Sequence, residues 1–464
     1  MRITVAGSGY VGLVAAACLA EIGHEVVCVD NDSARIARLQ RGEVPIFETH
    51  LSELIARHRS QRLRFQTELG AAVRGATAVF IAVGTPASDE GSADLSYVEG
   101  VSRELAEALD DYKVIVEKST VPVYTSEWIR RTVSKRATHG ARFDVVSNPE
   151  FLREGTAVTD FLYPDRIVIG ADEPRAAEVM LELYAPLTSG DYGRRPGAIA
   201  RPPGAPDPSP LILTGAKSAE MIKHASNAFL AMKISFINMV ARMCEAAGTD
   251  IEQVAAGIGA DRRIGQSFLR AGVGFGGSCF PKDLKAFRAV AAEMGLEFRL
   301  LDEVLRINEE QRQAFLRKVK GALWNLKGKR LAVLGLAFKA GTDDIRESPA
   351  IALVHAFLRE GCEVVAHDPA AMEAARAEFA RTAPDAKLQF AESAYQAADG
   401  ADALIILTEW PDYARLDLDR IKQALREPVL IDGRNLYQPA QVESRGISYV
   451  SVGRKGTKTS VVTS

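Results

Sequence analysis

The residue with the clearest chemical potential is a cysteine in a glycine-rich turn, just before a segment with a helical pattern. Cys279 follows a pair of glycines, and the helix begins near Pro281. Proline is tolerated in a first helical turn because its missing N–H has no partner there. The positive end of the helix dipole would favour the nucleophilic thiolate of Cys279. Glycines at 274, 276 and 277 would let backbone N–H groups and a substrate approach the sulfur. The alternative is a small buried cysteine in a tight turn.

A lysine and an asparagine share one face of a long predicted helix that runs from about Ser218 to Ala247. Lys223 and Asn227 are four residues apart, so they lie on the same side. The rest of that face is apolar, and a lysine buried there costs free energy unless it is paired or its charge is used. The alternative is a lysine that reaches solvent past its stem. The opposite face carries an apolar stripe that we expect to pack on another helix or a second subunit: Ala225, Phe229, Met232, Phe236, Met239 and Met243.

The first third of the chain predicts a dinucleotide site. An apolar strand over residues 2–6 leads into Gly7-Ser8-Gly9-Tyr10-Val11-Gly12, and a helix follows. Gly7 permits the turn, Gly9 lets a pyrophosphate approach the backbone, and Gly12 lets the helix pack on the strand. Asp30 closes the second strand, where it would accept a hydrogen bond from the adenosine ribose 2′-hydroxyl and repel a 2′-phosphate. NAD is therefore favoured over NADP.

Polar residues follow three further strands of this βα series. They are Gly84 and Thr85 after the strand at 78–83, Thr120 after the strand at 114–120, and Glu150 after the strand at 143–146. Ligands of doubly wound sheets bind beyond the carboxyl ends of the strands, so a nicotinamide and a substrate would meet here. Each residue could instead be only a turn former or a cap. Residues 189–210 are rich in Gly, Pro and Arg and predict an exposed loop.

The last third repeats the architecture. Segments at 330–339, 363–368, 403–408 and 429–435 repeat the βα pattern of the first third, but the first turn is not GxGxxG. A second dinucleotide site is therefore disfavoured, and a nucleoside diphosphate half-site fits better, with Lys339 and Arg434 as phosphate partners. The predicted fold class is α/β, with two Rossmann-like doubly wound domains joined by a long central helix and a helical dimerisation region. We expect an NAD-binding domain at 1–210, a central helical domain at 211–315, a nucleoside diphosphate-binding domain at 320–450, and a polar, disordered tail at 453–464.

The composition is that of an ordinary water-soluble protein. The 464 residues are 25% charged, with a net charge of −3, which gives no general affinity for nucleic acid. Five scattered cysteines without a CxxC pair argue against a disulfide framework or a zinc site and for a reducing compartment. No signal peptide precedes the first strand, and no apolar run reaches the length of a membrane span. We therefore expect a cytoplasmic protein with no metal and no membrane contact.

Taken together, the motifs resemble the UDP-glucose 6-dehydrogenase family, one of the nucleotide-sugar dehydrogenases, over nearly the whole chain to about residue 450. One departure is His224, where bacterial members more usually carry an aromatic hydroxyl. The loop at 189–210 is also longer than in many relatives. The matching segments are 7–12, 117–122, 148–155, 223–227, 276–283 and 343–348.

This resemblance implies a four-electron oxidation of a sugar's primary alcohol at C6 to a carboxylate, with two NAD reduced. Cys279 would add to the aldehyde to form a thiohemiacetal and then a thioester. Lys223 and Asn227 would stabilise the negative oxygen. Glu150 would act as general base, assisted by Glu154. Asp283 and Thr120 would position water or the hydroxyl.

The resemblance also implies further ligand contacts. Lys282 would lie near the cofactor or the substrate, and Arg346 near the cofactor. Arg263 would reach a substrate on the neighbouring subunit of a homodimer or larger homo-oligomer. The residues that would line the nucleotide sugar are Phe151, Leu152, Phe268, Phe275, Gly276, Lys339 and Arg434.

Three alternatives stay open. The substrate could be GDP-mannose or another nucleotide sugar, because base selectivity depends on loops that the sequence does not place. The chain could bind NAD and a nucleotide sugar without catalysis. A two-electron β-hydroxyacid-type dehydrogenase would share the Rossmann domain, the long helix and the lysine, but it would not need Cys279.

Overall fold

The computed structural model describes residues 1–87, 91–137 and 141–455, which form two compact units. The first unit comprises residues 1–226 and 285–296, and the second unit comprises residues 227–284 and 297–464. The predicted division into 1–210, 211–315 and 320–450 stays a prediction.

Within the described residues, the first unit is built on one eight-stranded sheet in the order β3-β2-β1-β4-β5-β6-β7-β8. Neighbouring strands are parallel except for the β6–β7 pair. Arg2 of the first strand lies opposite Glu25 on one side, and Ile3 lies opposite Ala78 on the other. The strand bounds are β1 Arg2–Ala6, β2 Glu25–Val29, β3 Leu63–Gln66, β4 Ala78–Ile81, β5 Lys113–Glu117, β6 Phe143–Ser147, β7 Ile167–Ala171 and β8 Leu211–Thr214.

Both faces of this sheet are covered, which explains why its central strands are almost wholly apolar. Val5 and Phe80 point into one hydrophobic cluster, whereas Val79 and Ile81 point into another. Successive residues of a strand alternate between faces, so each cluster draws on every second residue. The strand order reverses between β1 and β4, and this reversal opens a crevice at their carboxyl ends.

The helices connect and cover the strands. The described part of the chain contains α1 Tyr10–Glu21, α2 Ser33–Arg41, α3 Leu51–His58, α4 Leu69–Val73, α5 Ser96–Ala108, α6 Thr125–Arg136, α7 Ala157–Leu162, α8 Pro174–Thr188, α9 Ala216–Ala247, α10 Ile251–Gly259, α11 Phe280–Glu293, α12 Arg299–Leu323, α13 Pro349–Arg359, α14 Met372–Thr382, α15 Ala394–Ala398, α16 Leu418–Ala424 and α17 Pro439–Glu443. None of these helices combines the length and the apolar composition that a membrane span requires.

The second unit carries a six-stranded parallel sheet in the order β11-β10-β9-β12-β13-β14. This order is that of a Rossmann fold. With the first sheet, it confirms the predicted α/β class. The strand bounds are β9 Arg330–Leu334, β10 Glu363–His367, β11 Leu388–Phe390, β12 Ala403–Ile406, β13 Val429–Asp432 and β14 Ser448–Ser451.

The predicted loop at 189–210 and the start of the predicted tail are more ordered than the sequence suggests. The segment 189–210 is not simply exposed: Tyr192 is 1% exposed, and its hydroxyl accepts a hydrogen bond from Ile199 N at 2.9 Å. An aromatic ring in a Gly/Pro-rich loop anchors that loop to the core. The prediction of a disordered tail is wrong for Gly453 and for Arg454, whose Nε lies 3.0 Å from an oxygen of Asp250. Residues 456–464 lie outside the described residues.

The apolar stripe on α9 contacts too little of its own unit to be buried. Phe229, Phe236 and Met243 are 58%, 54% and 67% exposed. These three side chains are therefore not covered by another helix among the described residues of the chain, and the expected packing on a second subunit stays a prediction.

Candidate active site

The glycine loop between β1 and α1 has the shape of a dinucleotide-binding turn. Gly7 has a φ of 104°, and a Cβ at Gly12 would lie 2.0 Å from Gly7 O, so both positions exclude larger residues. At Gly9, in contrast, an added Cβ would meet no neighbouring heavy atom within 4 Å. Gly9 is also the N-cap of α1 and places no side chain over the first N–H groups of the helix. These features fit the pyrophosphate of NAD.

Asp30 stands beside this loop as predicted. Its Oδ2 accepts hydrogen bonds from Ser8 N and Ser8 Oγ, both at 2.7 Å, and its Oδ1 accepts one from Asp32 N at 3.0 Å. Burial would raise the pKa of Asp30, but these hydrogen bonds and the nearby Arg35 outweigh it and lower the pKa below its usual value. The group is therefore a carboxylate, the form that accepts from a ribose hydroxyl.

Tyr10 of the loop is held by a glutamate for which the sequence gives no spacing signal. The Tyr10 hydroxyl donates to Glu48, which also accepts from Gly155 N at 2.7 Å and from Ala157 N at 2.9 Å. Burial, followed by the Glu48 contact, raises the pKa of Tyr10, so the phenol keeps its proton. Glu48 thus ties the glycine loop to the segment that carries Glu154.

The ends of β4 and β5 meet as the sequence predicts. Thr85 follows Gly84 and is buried, and its hydroxyl donates to Thr120 O at 2.8 Å. The order of the sheet places the end of β6, and hence Glu150, next along the same edge.

Lys223 is a buried, paired lysine. Its Nζ lies 2.9 Å from Glu150 Oε1, and the two residues are 4% and 5% exposed. Glu150 Oε2 accepts from Leu152 N at 2.6 Å, which fixes the carboxylate. The Phe151 ring centroid lies 5.3 Å from Lys223 Nζ. The alternative of a solvated lysine is therefore wrong.

The start of α9 is bonded to the segment after β5. Glu220 accepts from Tyr124 N and Ser126 N, both at 2.8 Å, and His224 Nε2 lies 2.7 Å from Val121 O. These contacts fix the position of the helix turn that carries Lys223.

A second buried lysine belongs to this cluster and received no role from the sequence. Lys118 is 5% exposed, and its Nζ donates to Asn148 Oδ1 at 3.1 Å. Burial lowers the pKa of Lys118 to about 8, although the carboxylates of Glu150 and Glu117 act in the opposite direction. The sequence signal that could have identified Lys118 is its position directly after an apolar strand.

In the second unit, Cys279 immediately precedes α11. Its carbonyl accepts from Asp283 N at 2.8 Å, the first hydrogen bond of that helix. Cys279 is half-buried, whereas Cys18, Cys28, Cys244 and Cys362 are buried. The structure thus confirms the predicted position at the helix N-terminus, where the dipole favours a thiolate.

Asp283 brings together two other predicted residues of the second unit. It is 1% exposed, and its Oδ2 accepts from Asn227 Nδ2 at 2.6 Å. Its Oδ1 accepts from Lys282 Nζ at 2.7 Å. Both carboxylate oxygens therefore hold neighbouring side chains.

The glycines around Cys279 serve a different purpose from the predicted one. A Cβ at Gly276 would lie 2.2 Å from Glu347 O, and Gly277 N donates to Arg346 O at 3.0 Å. These two glycines admit the protein's own backbone, and the Gly277 N–H is already bonded. The expectation that they leave N–H groups open to a substrate is wrong at Gly277.

The Rossmann-like sheet of the second unit lacks the ribose-binding feature of the first. Asp368 follows β10 as Asp30 follows β2, but it is 2% exposed. Its Oδ2 accepts from Leu336 N at 2.7 Å and from Trp410 Nε1 at 3.1 Å. This carboxylate is therefore enclosed and already bonded, unlike a group that is open to a ribose.

Arg434 and Lys339, the predicted phosphate partners, contact other residues of the second unit. Arg434 Nε donates to Leu407 O at 2.8 Å, and its Nη2 donates to Phe338 O at 3.2 Å. Arg434 Nε also lies 3.1 Å from Glu409 Oε2. Lys339 Nζ lies 5.7 Å from the Phe338 ring centroid.

The other predicted residues of the second unit fall into two groups. The rings of Phe268 and Phe275 flank Phe280, with centroid distances of 6.1 and 5.9 Å. Arg263 and Arg346 are largely exposed and each pairs with a nearby aspartate, Asp261 at 2.6 Å and Asp344 at 2.7 Å. The predicted set is thus divided: residues up to Lys223 lie in the first unit, and those from Asn227 to Cys279 and Asp283, with Lys339, Arg346 and Arg434, lie in the second unit.

A glycine loop open to a pyrophosphate, an acid at the ribose position and a half-buried cysteine at a helix N-terminus define an NAD-dependent dehydrogenase with a candidate nucleophile. Three domain models of one family match the chain: the NAD binding domain over residues 1–188, the central domain over 217–310 and the UDP binding domain over 332–439. The chain belongs to the UDP-glucose/GDP-mannose dehydrogenase family. Its predicted family, its NAD cofactor and its class as an oxidoreductase are confirmed.

Individual relatives are similar over their full length. A UDP-glucose 6-dehydrogenase of Rhizobium meliloti is 46% identical, over 98% of this chain and 100% of the relative. The UDP-glucose 6-dehydrogenase TuaD of Bacillus subtilis is 42% identical, over 98% and 94% of the two chains. The structure of a UDP-glucose dehydrogenase from Pyrobaculum islandicum matches with a TM-score of 0.85 and 38% identity, and it covers 98% of each chain.

Proposed function

We propose that this protein oxidises UDP-glucose at C6 to UDP-glucuronate and reduces two NAD per sugar. Relatives that carry the name UDP-glucose 6-dehydrogenase are 46% and 42% identical over almost the entire chain, which supports the substrate. The observation that carries the covalent route is the position of Cys279, half-buried at the N-terminus of α11, while the other four cysteines are buried.

The chemistry needs two hydride removals and one water. NAD bound at the glycine loop would accept one hydride in each oxidation. In the first, C6 loses a hydride and its hydroxyl a proton, which gives an aldehyde. The Sγ of Cys279 then bonds to C6, and the thiol proton is balanced by protonation of the oxygen, which gives a thiohemiacetal. Loss of a second hydride and the hydroxyl proton gives a thioester. Water adds to C6 and the C–S bond breaks, which regenerates the Cys279 thiol and releases the product as a carboxylate and a proton.

Lys223 and Asn227 suit the stabilisation of the negative oxygen in these steps. An ammonium carries three N–H donors, and one of those on Lys223 goes to Glu150 at 2.9 Å. A side-chain amide carries two N–H donors, and one of those on Asn227 goes to Asp283 at 2.6 Å. Donors that are held in place before the reaction lower the barrier because they need no reorganisation.

Proton transfer is assigned to Glu150, with Glu154 as a second carboxylate. The hydrogen bond from Leu152 N orients the Glu150 carboxylate. The ion pair with Lys223 holds Glu150 beside the ammonium that would stabilise the oxyanion. Thr120 would position the hydroxyl or the water. Asp283 would act by orienting Asn227 and Lys282, since both of its oxygens accept from those side chains.

The remaining predicted contacts are part of the same proposal. Gly84 and Thr85 would adjoin the cofactor, as would Val11, Lys282 and Arg346. The nucleotide sugar would be lined by Phe151, Leu152, Phe268, Phe275, Gly276, Lys339 and Arg434.

The active form is proposed to be a homodimer or larger homo-oligomer in the cytoplasm. The exposed stripe of Phe229, Phe236 and Met243 on α9 supports association with a second copy, to which Arg263 would contribute a substrate contact. Five cysteines with no disulfide between them are consistent with a reducing compartment.

The test is the stoichiometry of the purified protein with NAD and either UDP-glucose or GDP-mannose. We expect two NADH per UDP-glucose, measured by absorbance, and no aldehyde captured by a carbonyl reagent. If NADH formed with GDP-mannose but not with UDP-glucose, the proposed substrate would be wrong. If NAD and the nucleotide sugar bound but no NADH formed, the chain would be a binding protein without this activity.

The covalent route has its own test. Cys279→Ser should stop after partial oxidation or lose activity, whereas Cys244→Ala, which removes a buried thiol, should still yield two NADH. Complete four-electron turnover by Cys279→Ser would refute the thioester.

A further inference from the structure

The segment that leads into Cys279 is held by three buried side-chain amides of the second unit. Asn238 Oδ1 accepts from Gly272 N at 2.9 Å, and Gln311 Nε2 donates to Gly272 O at 2.8 Å. Asn308 makes two bonds to one residue: its Oδ1 accepts from Phe275 N at 2.8 Å, and its Nδ2 donates to Phe275 O at 3.0 Å. We call Asn238, Asn308 and Gln311 the amide clamp.

The clamp replaces the partners that a strand or helix would give this backbone. Residues 272–279 belong to no regular element, yet residues 272–277 are buried, so their N–H and C=O groups need partners from elsewhere. Only a side chain that both donates and accepts can bond both backbone groups of Phe275, and Asn308 has this chemistry. Serving the loop leaves Asn238 Nδ2 and Gln311 Oε1 buried without a hydrogen-bond partner among the described residues. An apolar residue would avoid that cost, which indicates that the bonds to Gly272 are needed.

Other residues of the second unit contact the segment at Gly277, away from the amide clamp. A Cβ at Gly277 would lie 2.7 Å from the Phe338 ring. Arg346 O accepts from Gly277 N at 3.0 Å. The segment is therefore fixed from both sides.

The clamp is connected to the thiol through two aromatic rings. Asn308 fixes the backbone of Phe275, whose ring meets the Phe280 ring edge-on at 5.9 Å and 86°. Phe280 is the first residue of α11 and follows Cys279 directly. A displacement at Phe275 thus reaches the peptide that carries the Cys279 sulfur.

We propose that Asn308, supported by Gln311 and Asn238, is a positioning residue for Cys279. The proposal rests on the function proposed above, because it concerns the step in which the thiol bonds to C6. Asn308 acts through the backbone of Phe275, in the segment that leads to Cys279. A misplacement of about 1 Å between reacting groups lowers a rate by roughly 100-fold.

The test compares Asn308→Leu, which removes both bonds at similar volume, with Gln313→Leu, an exposed amide on the same helix. We expect Asn308→Leu to lower kcat by roughly 100-fold. It should also release aldehyde and yield fewer than two NADH per sugar. The Kd for NAD should stay within about twofold, since the glycine loop is in the first unit. Gln313→Leu should match the wild type in all three.

A second readout does not depend on turnover. Because the other four cysteines are buried, iodoacetamide labelling, located by peptide mass, reports on Cys279. Loosening the clamp should increase the labelling rate at Cys279 severalfold, since a mobile loop exposes a half-buried thiol more often. If the wild type did not oxidise UDP-glucose, the proposed function would fail, while this labelling would still decide the role of the clamp.

A folded Asn308→Leu variant with wild-type kcat and wild-type labelling would overturn the proposal. If that variant does not fold, Asn308→Asp decides, because it keeps the shape and the acceptor for Phe275 N and loses only the donor. It should lower kcat and raise labelling in the same directions by a smaller factor. Unchanged values in Asn308→Asp would then reject the role of Asn308.

Discussion

Gly9→Ala should weaken NAD binding without affecting the fold, and this prediction follows from the open space beside the Gly9 Cα atom. An added methyl at Gly9 meets no neighbouring heavy atom within 4 Å, and the backbone angles of −67° and −171° are open to alanine. We therefore expect the free energy of unfolding to change by no more than about 0.5 kcal/mol. The same methyl would occupy the space through which a pyrophosphate reaches the N-terminus of α1.

The expected loss of affinity can be estimated from the hydrogen bonds at stake. Each bond from a backbone N–H to a charged phosphate oxygen contributes about 1.5–3 kcal/mol. Losing one of them raises the Kd for NAD by about 10- to 100-fold, since about 1.4 kcal/mol corresponds to a factor of ten. Isothermal titration with NAD measures this Kd without requiring turnover.

Gly12→Ala is the matched control with the opposite outcome. Its Cβ would lie 2.0 Å from Gly7 O, a backbone atom that cannot move aside. Overpacking of this kind costs about 1–3 kcal/mol or more, so Gly12→Ala should lower the unfolding midpoint. A Gly9→Ala variant that binds NAD as tightly as the wild type, or that is as unstable as Gly12→Ala, would refute the reasoning.

Two further predictions concern Lys118 and the stripe on α9. Burial sets the pKa of Lys118 at about 8 against an ordinary 10.5, so between those pH values the unfolded chain binds a proton that the folded chain lacks. The stability of the wild type relative to Lys118→Met should therefore rise by about 1.4 kcal/mol per pH unit in this window, about 3 kcal/mol in all, and stay flat below it. Parallel urea titrations of the two proteins from pH 7 to 10.5 measure this difference in the free energy of unfolding. A difference that stays constant over this range would contradict the lowered pKa of Lys118. Phe236→Asp should convert the proposed oligomer to monomers in light scattering, whereas Trp128→Asp, a change of an exposed residue in the first unit, should not. An unchanged mass for Phe236→Asp would exclude the stripe as the interface.

The parts of the protein that the sequence predicts correctly are those that depend on neighbours along the chain. The GxGxxG turn and Asp30 are separated by one strand–helix–strand unit, and the position of Cys279 beside a helix start follows from the residues next to it. The buried character of Lys223 follows from its helix face. Local geometry and periodicity suffice for each of these, because the contacts that define them are made within one supersecondary unit.

What only the tertiary structure decides is which distant group occupies each space. Gly276 is required because Glu347 O approaches it, and Tyr192 makes an apparent loop part of the core. Asn308 holds Phe275 from a helix about thirty residues away, and the lowered pKa of Lys118 results from its burial. The sequence alone determined the two Rossmann-like folds, the NAD loop and the cysteine. The tertiary structure determined how that cysteine is held, because hydrogen bonds and burial depend on distances between residues that no spacing along the chain encodes.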